Sequence, residues 1–442
     1  MDDRTLVQIA QDAVALARRK GAQEAAAEAS RLRDVEVRWR DGKLENLSEA
    51  TKRTLGLELY VDGRYGAVST SDLRPEAVER FVEDSIELTR ALAPDPFRSL
   101  PEPALCAGQA AVDLQLEDPG VAGLEPARRR ASAQAIEEAA RAAKGAEAIL
   151  SVTAGFSDGT AEVARVHSSG FAGTRRDTQA WMWAEVSVKD ADGRRPEDWD
   201  AAGSRHLAAL PDPGVVGRTA AERALGRLGA RKGDSATLTM VVENRAAGRL
   251  VSFLLAPLGA RALQQRQSFL EGKAGTKVGS DRLDFSDDPL LPRGLGSRLF
   301  DGEGLAARRF PVFEAGVLRN HYVDVYYGRK LKMAPTTRAA SNLAWKLGPA
   351  GRDRLLAAVK DGILVTGFLG GNSNGTTGDF SLGVQGHRIR EGRLAEPVAE
   401  MNVAGNHLEI WKRLAAVGDD PYAHSPLRTP TLVFEGVQFA GV

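Results

Sequence analysis

The stretch "ATLTMVVENRAAGRLVSFLLAP", residues 236–257, carries a strand pattern that is followed at once by a helix pattern. The first seven residues are rich in β-branched and apolar side chains, which favours a buried strand. Apolar residues then recur at helical spacing until a proline stops them: Leu250, Val251, Leu254, Leu255 and Pro257. We therefore predict a strand that turns directly into a helix, a type of corner at which many enzymes place catalytic groups.

The residues of the corner itself leave two interpretations open. Asn244 is predicted to cap the helix, because its side-chain oxygen can accept from the first free backbone N–H groups. Glu243 lies beside the positive end of the helix dipole, a placement worth about 0.3–1 kcal/mol. A capped core helix explains these residues but gives no reason for Arg245 and Arg249. The corner is thus either a structural element or the position of an active site.

Towards the N-terminus, helix and strand patterns mix. Alternating strands turn at Asp41-Gly42 and Asp62-Gly63, dipeptides that readily take the positive φ angles of type I′ turns. Residues 94–126 contain six prolines and are predicted to form a surface crossover, and residues 127–143 a helix. Residues 190–212 are predicted to be an exposed connection.

Towards the C-terminus, short strands are separated by glycine turns, which favours a curled antiparallel sheet. We predict the α+β class with two domains. Residues 1–212 form an N-terminal α/β sandwich-like domain with an antiparallel sheet and helices, and residues 213–442 a C-terminal β-rich domain with a curled antiparallel sheet.

Composition excludes several classes of protein. The 59 basic and 59 acidic residues cancel, which argues against a dedicated nucleic-acid binder. The single cysteine, Cys106, rules out a disulfide framework within the chain and a multi-cysteine metal site. The acidic N-terminus is not a secretory signal pattern, and no apolar run reaches the length of a membrane span. We expect a cytoplasmic protein that uses neither a membrane nor nucleic acid.

Two further groups of residues have a catalytic and a structural interpretation. Ser373 lies in a Gly-x-Ser-x-Gly pattern, and Asp379 and His387 follow in the order of a catalytic triad. A nucleophile elbow needs a helix after the serine, but the segment that follows Ser373 is predicted to be a strand. Asp301 and Glu303 either form an acid/base pair or belong to an Asp-Gly turn with a solvated glutamate. No two of the six histidines lie within five residues of each other, so no local metal-ligand motif is present.

Three segments resemble the TldD/PmbA family, whose members were once called modulators of DNA gyrase. They are "SRLFDGEGLAARRFPVFEAGVLRNHYVDVYYGRKL" (297–331), "GGNSNGTTGDFSLGVQGHRIREGRL" (370–394) and "PVAEMNVAGNHLEIWKRLAAVGDDP" (397–421). Their order and spacing make the resemblance specific, and it extends across nearly the whole chain.

The resemblance implies one of two kinds of subunit. TldD-type members carry His-Glu-x-x-x-His on a helix and are implied to be zinc metalloproteases, with a further ligand from a cysteine near the C-terminus. TldE (PmbA)-type members lack the motif and pair with TldD. In this chain the matching hexapeptide is "NRAAGR": Asn244 and Arg249 stand at the histidine positions and Arg245 at the glutamate position. An arginine offers no lone pair to a metal, and Cys106 lies in the wrong half of the chain.

The resemblance therefore implies a non-catalytic TldE-like subunit that binds no metal or other cofactor itself. Zinc is expected on a TldD-like metalloprotease partner, and the heterodimer is expected to process or degrade unfolded peptides. Candidate residues of a peptide cleft are Asp301, Glu303, Asn374 and Asp379. Two alternatives remain: an independent hydrolase that uses Asp/Glu or Ser373, and a protein-binding regulator without a protease role, for which a link to gyrase is left open.

Overall fold

The structure, a computed structural model, describes residues 4–442, which form three β-sheets and the helices packed around them. The helices in this range are α1 Leu6–Arg19, α2 Pro75–Arg90, α3 Pro103–Cys106, α4 Pro119–Ala122, α5 Pro126–Arg141, α6 Pro213–Leu225, α7 Asn244–Leu255, α8 Ala260–Gln264, α9 Val325–Leu331, α10 Arg352–Ala357 and α11 His407–Ile410. The strands are β1 Glu24–Arg40, β2 Lys43–Val61, β3 Arg64–Thr70, β4 Ile149–His167, β5 Ala172–Val188, β6 Glu197–Ser204, β7 Ala236–Val242, β8 Phe285–Asp287, β9 Phe310–Glu314, β10 Val317–Leu318, β11 Leu343–Trp345, β12 Asp361–Ser373, β13 Asp379–Arg390, β14 Arg393–Asn406, β15 Leu414–Val417 and β16 Leu432–Ala440.

The first sheet is antiparallel throughout, in the order β3-β2-β1-β4-β5-β6. The two predicted hairpins are confirmed: Asp41 and Gly42 join β1 to β2, and Asp62 and Gly63 join β2 to β3. All four turn residues have positive φ, as a type I′ turn requires.

Helices α1, α2, α5 and α6 cover one face of this sheet. Side chains alternate along a strand, so Val152, Phe156 and Val166 of β4 point the same way, and each is buried in a core beneath these helices. Helix α1 begins with a reciprocal cap between Thr5 and Gln8. Together with the β-rich second half of the chain, this layer confirms the predicted α+β class.

A buried ion pair ties α5 to the sheet. Arg129 Nη2 donates to Asp158 Oδ1 on β4 at 3.0 Å, and Arg129 Nη1 donates to the carbonyl oxygen of Leu124 at 2.7 Å. The side chains of Arg129 and Asp158 are only 3% and 0% exposed. Their charges are therefore compensated by each other rather than by water.

The segment 190–212 departs from its prediction as an exposed connection. Residues Glu197–Ser204 form β6, which pairs with β5 along its whole length. The sequence "EDWDAAGS" lacks the β-branched residues that mark a strand, and pairing along the neighbouring strand overrides that weak local preference.

Helix α6 packs on α5 and on β5 and β6 of the first sheet. Its Gly217 lies so close to α5 that an added Cβ would sit 2.0 Å from the carbonyl oxygen of Ile136. The division at 212/213 stays a prediction, and these contacts favour a division after α6, within residues 226–235.

The second half of the chain is built on a sheet that curls until its ends meet. The strand order is β14-β13-β12-β7-β16-β15, and β14 also pairs with β16. That extra pairing joins Asn402 to Ala440 and Val403 to Phe439, so five strands form a closed ring. The pairs are antiparallel except β12 with β7, which is parallel. A small sheet, β10-β9-β8-β11, packs beside the ring in the same hydrophobic core.

Within residues 4–442, no helix combines the length and the apolar character that crossing a membrane requires.

Candidate functional site

The predicted strand-to-helix corner is present, with β7 ending at Val242 and α7 beginning at Asn244. The predicted cap is wrong by one position: Glu243 precedes the helix, and its side chain makes no capping hydrogen bond. Glu243 instead accepts from Arg223 at 2.7 Å. Asn244 is the first helical residue, and its Nδ2 donates to the carbonyl oxygen of Asp420 at 2.8 Å. Contacts with distant segments thus outweigh local capping here.

Arg245 is anchored by strand β6. Its Nη1 donates to Asp200 Oδ1 at 2.8 Å, and its Nη2 lies 3.7 Å from Asp198 Oδ1. Its guanidinium lies over the ring of Trp199, 3.7 Å from the centroid, a favourable cation–π geometry. Burial, reinforced by repulsion from Arg223, lowers the pKa of Arg245, whereas the two aspartates act in the opposite direction. Arg245 therefore connects the corner to the first sheet.

Sequence reasoning missed the contribution of β6. The signal was present in "EDWD", residues 197–200, where an aromatic residue stands between carboxylates. Nothing in the sequence pattern assigns this segment to the corner, because about forty residues and helix α6 separate the two.

Arg249 is exposed and belongs to a cleft of about 370 Å³ between β6, the start of α7 and β12. Its Nη2 donates to the carbonyl oxygen of Gly370 at 3.2 Å. The cleft is also lined by Arg227, Arg245 and the half-exposed Trp199. It therefore presents guanidinium groups and an aromatic ring.

The side chains of the corner do not fit a zinc ion. Asn244 is committed to Asp420, Arg245 is paired with Asp200, and Arg249 is a cation that offers no lone pair. Across residues 4–442, no group of three or more His, Cys, Asp and Glu side chains is arranged to hold a metal ion.

Asp301 and Glu303 have different environments. Asp301 is buried and accepts hydrogen bonds from the backbone of Glu303 and Leu305 and from the side chain of Thr337, at 2.9–3.0 Å. It shapes the turn and is not available as an acid/base group. Glu303 accepts from the backbone N–H of Val325 at 3.0 Å and lines a different cleft, described below.

Glu303 is not the solvated glutamate of the structural interpretation. Burial, with further contributions from the carboxylates of Asp301, Asp324 and Glu58, raises its pKa to about 7. The hydrogen bond from Val325 acts in the opposite direction and does not cancel the rise.

We expect Glu303→Gln to change how stability depends on pH. Because the folded state raises the pKa of Glu303 above its ordinary 4.5, folding favours the protonated form. That contribution is complete below the unfolded pKa and is lost as pH rises through about 7. Thermal unfolding curves should nearly coincide with wild type near about pH 4, and the variant should become increasingly more stable than wild type as pH rises from about 5 to about 7.

The control for this experiment is Glu409→Gln, which removes an exposed carboxylate paired with Lys412. It should track wild type across the same range. A constant difference between Glu303→Gln and wild type at every pH would contradict the assignment.

Asn374 and Asp379 hold the turn between β12 and β13. Asn374 Oδ1 accepts from the backbone of Thr376 at 2.9 Å, and Asp379 accepts from Asn406 Nδ2 at 2.9 Å. Neither residue lines the cleft that contains Glu303. That these residues share a peptide cleft with Asp301 and Glu303 remains a prediction.

Ser373 ends β12, and a strand follows it, as predicted. The triad suggested by sequence order does not assemble, because His387 Nε2 lies 3.0 Å from the carbonyl oxygen of Gly226 instead. Ser373 Oγ lies 2.9 Å from Nε2 of His407, a pairing that sequence order gave no reason to expect. The ring of His407 stacks on Phe269, and burial lowers its pKa to about 4. Its Nδ1 has no partner within residues 4–442, so no carboxylate completes a triad.

Three family models match the chain in succession. They are described as PmbA/TldA metallopeptidase domain 1, over residues 25–89, the central domain, over 120–228, and the C-terminal domain, over 235–441. The first two fall on the first sheet and its helices, and the third on the closed sheet and the corner. The fold thus defines a protein of metallopeptidase architecture, and its corner carries two arginines.

Individual relatives agree with the family models. Metalloprotease PmbA of Escherichia coli O157:H7 is 28% identical over 423 residues, which cover 93% of this chain and 91% of the relative. A crystal structure from Bacteroides thetaiotaomicron, described as a candidate modulator of DNA gyrase, is 38% identical, covers 98% of both chains and superposes with a TM-score of 0.95. TldE from Thermococcus kodakarensis, at 19% identity and a TM-score of 0.85 over 98% of this chain and all of that one, shares the fold. The chain belongs to the TldD/PmbA family.

Proposed function

We propose that this chain is a non-catalytic, TldE-like subunit that pairs with a TldD-like zinc metalloprotease. The pair processes or degrades unfolded peptides in the cytoplasm. This chain completes a shared chamber around the partner's active site and restricts access to unstructured peptides.

The observation that carries the proposal is the state of Arg245. At the position where a catalytic subunit needs a glutamate to activate water, this chain has a guanidinium paired with Asp200 and packed on Trp199. A metalloprotease needs lone-pair donors around the metal and a base for the attacking water. Asn244 and Arg249 supply no imidazole, so zinc and hydrolysis fall to the partner.

The purified chain is expected to retain only substoichiometric zinc after exposure to excess metal and dialysis. It should also fail to cleave unfolded peptides on its own, because the corner lacks both metal ligands and a base. Elemental analysis and a peptidase assay measure the two properties. Adding a TldD-like subunit that carries His-Glu-x-x-x-His should give a stable complex that cleaves the same peptides.

The matched control is the same complex with the partner's motif glutamate replaced by glutamine, which should assemble without cleaving. One tightly held zinc per chain, or peptidase activity of this chain alone, would overturn the proposal. Failure of the two chains to co-purify would overturn the pairing.

The contact between Ser373 and His407 favours a second candidate function, an independent serine hydrolase. His407 is buried among aromatic rings and has no acidic partner in the part of the chain that the structure describes, so it is poorly equipped to activate a serine. Hydrolysis by the isolated chain that Ser373→Ala abolishes would establish this candidate in place of the first.

The description of the Bacteroides relative leaves a regulatory role as a third candidate, which co-purification with a protein lacking the zinc motif would favour.

A further inference from the structure

A second cleft, away from the corner, gathers most of the tyrosines of the chain. Its volume is about 500 Å³, and it lies between the first sheet, the loop after α2 and the segments around Glu303 and α9. Five of the six tyrosines line it, namely Tyr60, Tyr65, Tyr322, Tyr326 and Tyr327. We call it the tyrosine cleft. Such a concentration on one concave surface is typical of a binding site, because tyrosine offers a large rigid contact area.

Arg98 is held between two of these rings. Its guanidinium carbon lies 3.4 Å from the ring centroid of Tyr326 and 4.4 Å from that of Tyr65. Stacking leaves the N–H groups at the guanidinium edge free to donate. Within residues 4–442, no hydrogen bond or close ion pair engages them, although the charge of Arg98 helps to lower the pKa of Asp95; Arg98 therefore presents an oriented cation with free N–H donors.

The loop that carries Arg98 is fixed by the opposite domain. Arg329 of α9 donates to the carbonyl oxygens of Ser99 and Leu100 at 2.9 and 2.7 Å. The hydroxyl of Tyr326 donates to Asp95 at 2.7 Å, which fixes the ring that stacks on Arg98. Little conformational entropy remains to be lost when a ligand meets this guanidinium.

The acidic groups of the cleft already accept hydrogen bonds, whereas within residues 4–442 the guanidinium groups that line it donate none. Glu58 accepts from Arg165 at 2.8 Å, and Asp324 caps α9 by accepting from the backbone of Tyr327 at 2.7 Å. Arg261 and Arg338 also line the cleft and are exposed. Glu303 is partly neutral at physiological pH, since burial raises its pKa to about 7. The cleft therefore attracts an anion, but the carboxylates in its wall disfavour a dianion such as phosphate.

We propose that the tyrosine cleft binds the carboxylate of a peptide, with the guanidinium of Arg98 paired to that carboxylate and the tyrosine rings covering the adjacent side chain. The planar fork of an arginine matches a carboxylate bidentately. The choice of a peptide as the carrier rests on the proposed function, whereas the preference for a carboxylate rests on the cleft alone. The site is distinct from the corner and needs no metal.

Calorimetric titration of the purified chain with acetyl-Ala-Ala-Phe tests the proposal. The probe with a free C-terminal carboxylate should bind at least about tenfold more tightly than its C-terminal amide, because the amide cannot form the charged pair. A third probe, acetyl-Ala-Glu-Phe amide, separates a side-chain carboxylate from a terminal one. Tight binding of either acid supports a carboxylate site. Equal binding of all three probes, no binding of any, or tighter binding of inorganic phosphate overturns it.

Two variants locate the site. Arg98→Lys keeps the charge but loses the planar fork, and Arg98→Ala loses both, so affinity for the acid probe should fall in that order, by about tenfold or more for alanine. The matched control is Arg319→Ala, which removes an exposed arginine paired with Glu314 and should bind as wild type does. If Arg98→Ala fails to fold, Arg98→Lys and the comparison of acid with amide still decide the question. These results do not depend on whether the chain pairs with a protease, so failure here and failure of the proposed function are distinguishable.

Discussion

Arg245→Glu, which under the proposed function puts back the glutamate of a catalytic motif, should lower the free energy of unfolding by about 3–5 kcal/mol and should not give catalysis. The side chains of Arg245, Asp198 and Asp200 are only 8%, 4% and 17% exposed. A glutamate at position 245 would face both aspartates, and of the cations left near them Arg223 already pairs with Asp198 and Glu243, while Arg227 interacts with Asp198. Breaking a buried pair from one side leaves charges that water cannot reach, which is the costly case.

Chemical denaturation and zinc analysis of the same protein measure both outcomes. The control is Arg249→Glu, which makes the same charge change one turn later on the exposed side of α7 and should alter stability by no more than about 0.5 kcal/mol. Wild-type stability of Arg245→Glu would contradict the burial argument, and a gain of stoichiometric zinc would show that the corner can still hold a metal.

The second large effect is expected at the ion pair between α5 and the first sheet. Asp158→Ala should lower the free energy of unfolding by about 3–5 kcal/mol, because Arg129 would remain buried without its anion. Arg33, whose Nη1 lies 3.9 Å from Asp158 Oδ1, would also lose an anion there, but it keeps its pair with the exposed Glu49.

The control lies on the same strand. Glu162→Ala removes a carboxylate that is 36% exposed and pairs with Arg176, itself 64% exposed, so its cost should be at most about 1 kcal/mol. Equal midpoints and slopes for the two variants in urea denaturation would contradict the burial argument. A second variant, Asp158→Asn, should fall between them, because the amide still accepts a hydrogen bond from Arg129 but lacks the charge.

Local chemistry made the hairpins and the corner predictable. Asp41-Gly42 and Asp62-Gly63 determine their own turns, and the β-branched run before Glu243 favours a buried strand that leads into a helix. The prediction that Asn244 caps the helix was wrong, because the side-chain amide of Asn244 donates to the carbonyl oxygen of Asp420, which is far away in the chain. Strand β6 was missed for a related reason: its pairing with β5, rather than its own composition, makes it a strand.

The candidate site residues also divide into features that the sequence predicts and features that only the fold determines. That residues 244, 245 and 249 are unsuited to hold zinc can be predicted from the sequence, because it depends only on which lone pairs those side chains offer. The partners Asp200 for Arg245 and His407 for Ser373 depend on the fold. The tyrosine cleft could not be predicted from the sequence, because its tyrosines lie in two groups separated by more than half of the chain.

The pairing that closes the second half of the chain constrains how the protein is made. Strand β16 fits between β7 and β14, so β7 leaves the ribosome with one edge that has no neighbour until residues 432–440 emerge. At roughly 5–20 residues per second, that wait is on the order of ten seconds or longer. During synthesis the nascent chain therefore exposes a strand edge able to pair with another chain, and chaperones that shield such edges should influence the yield of this protein more than its final stability.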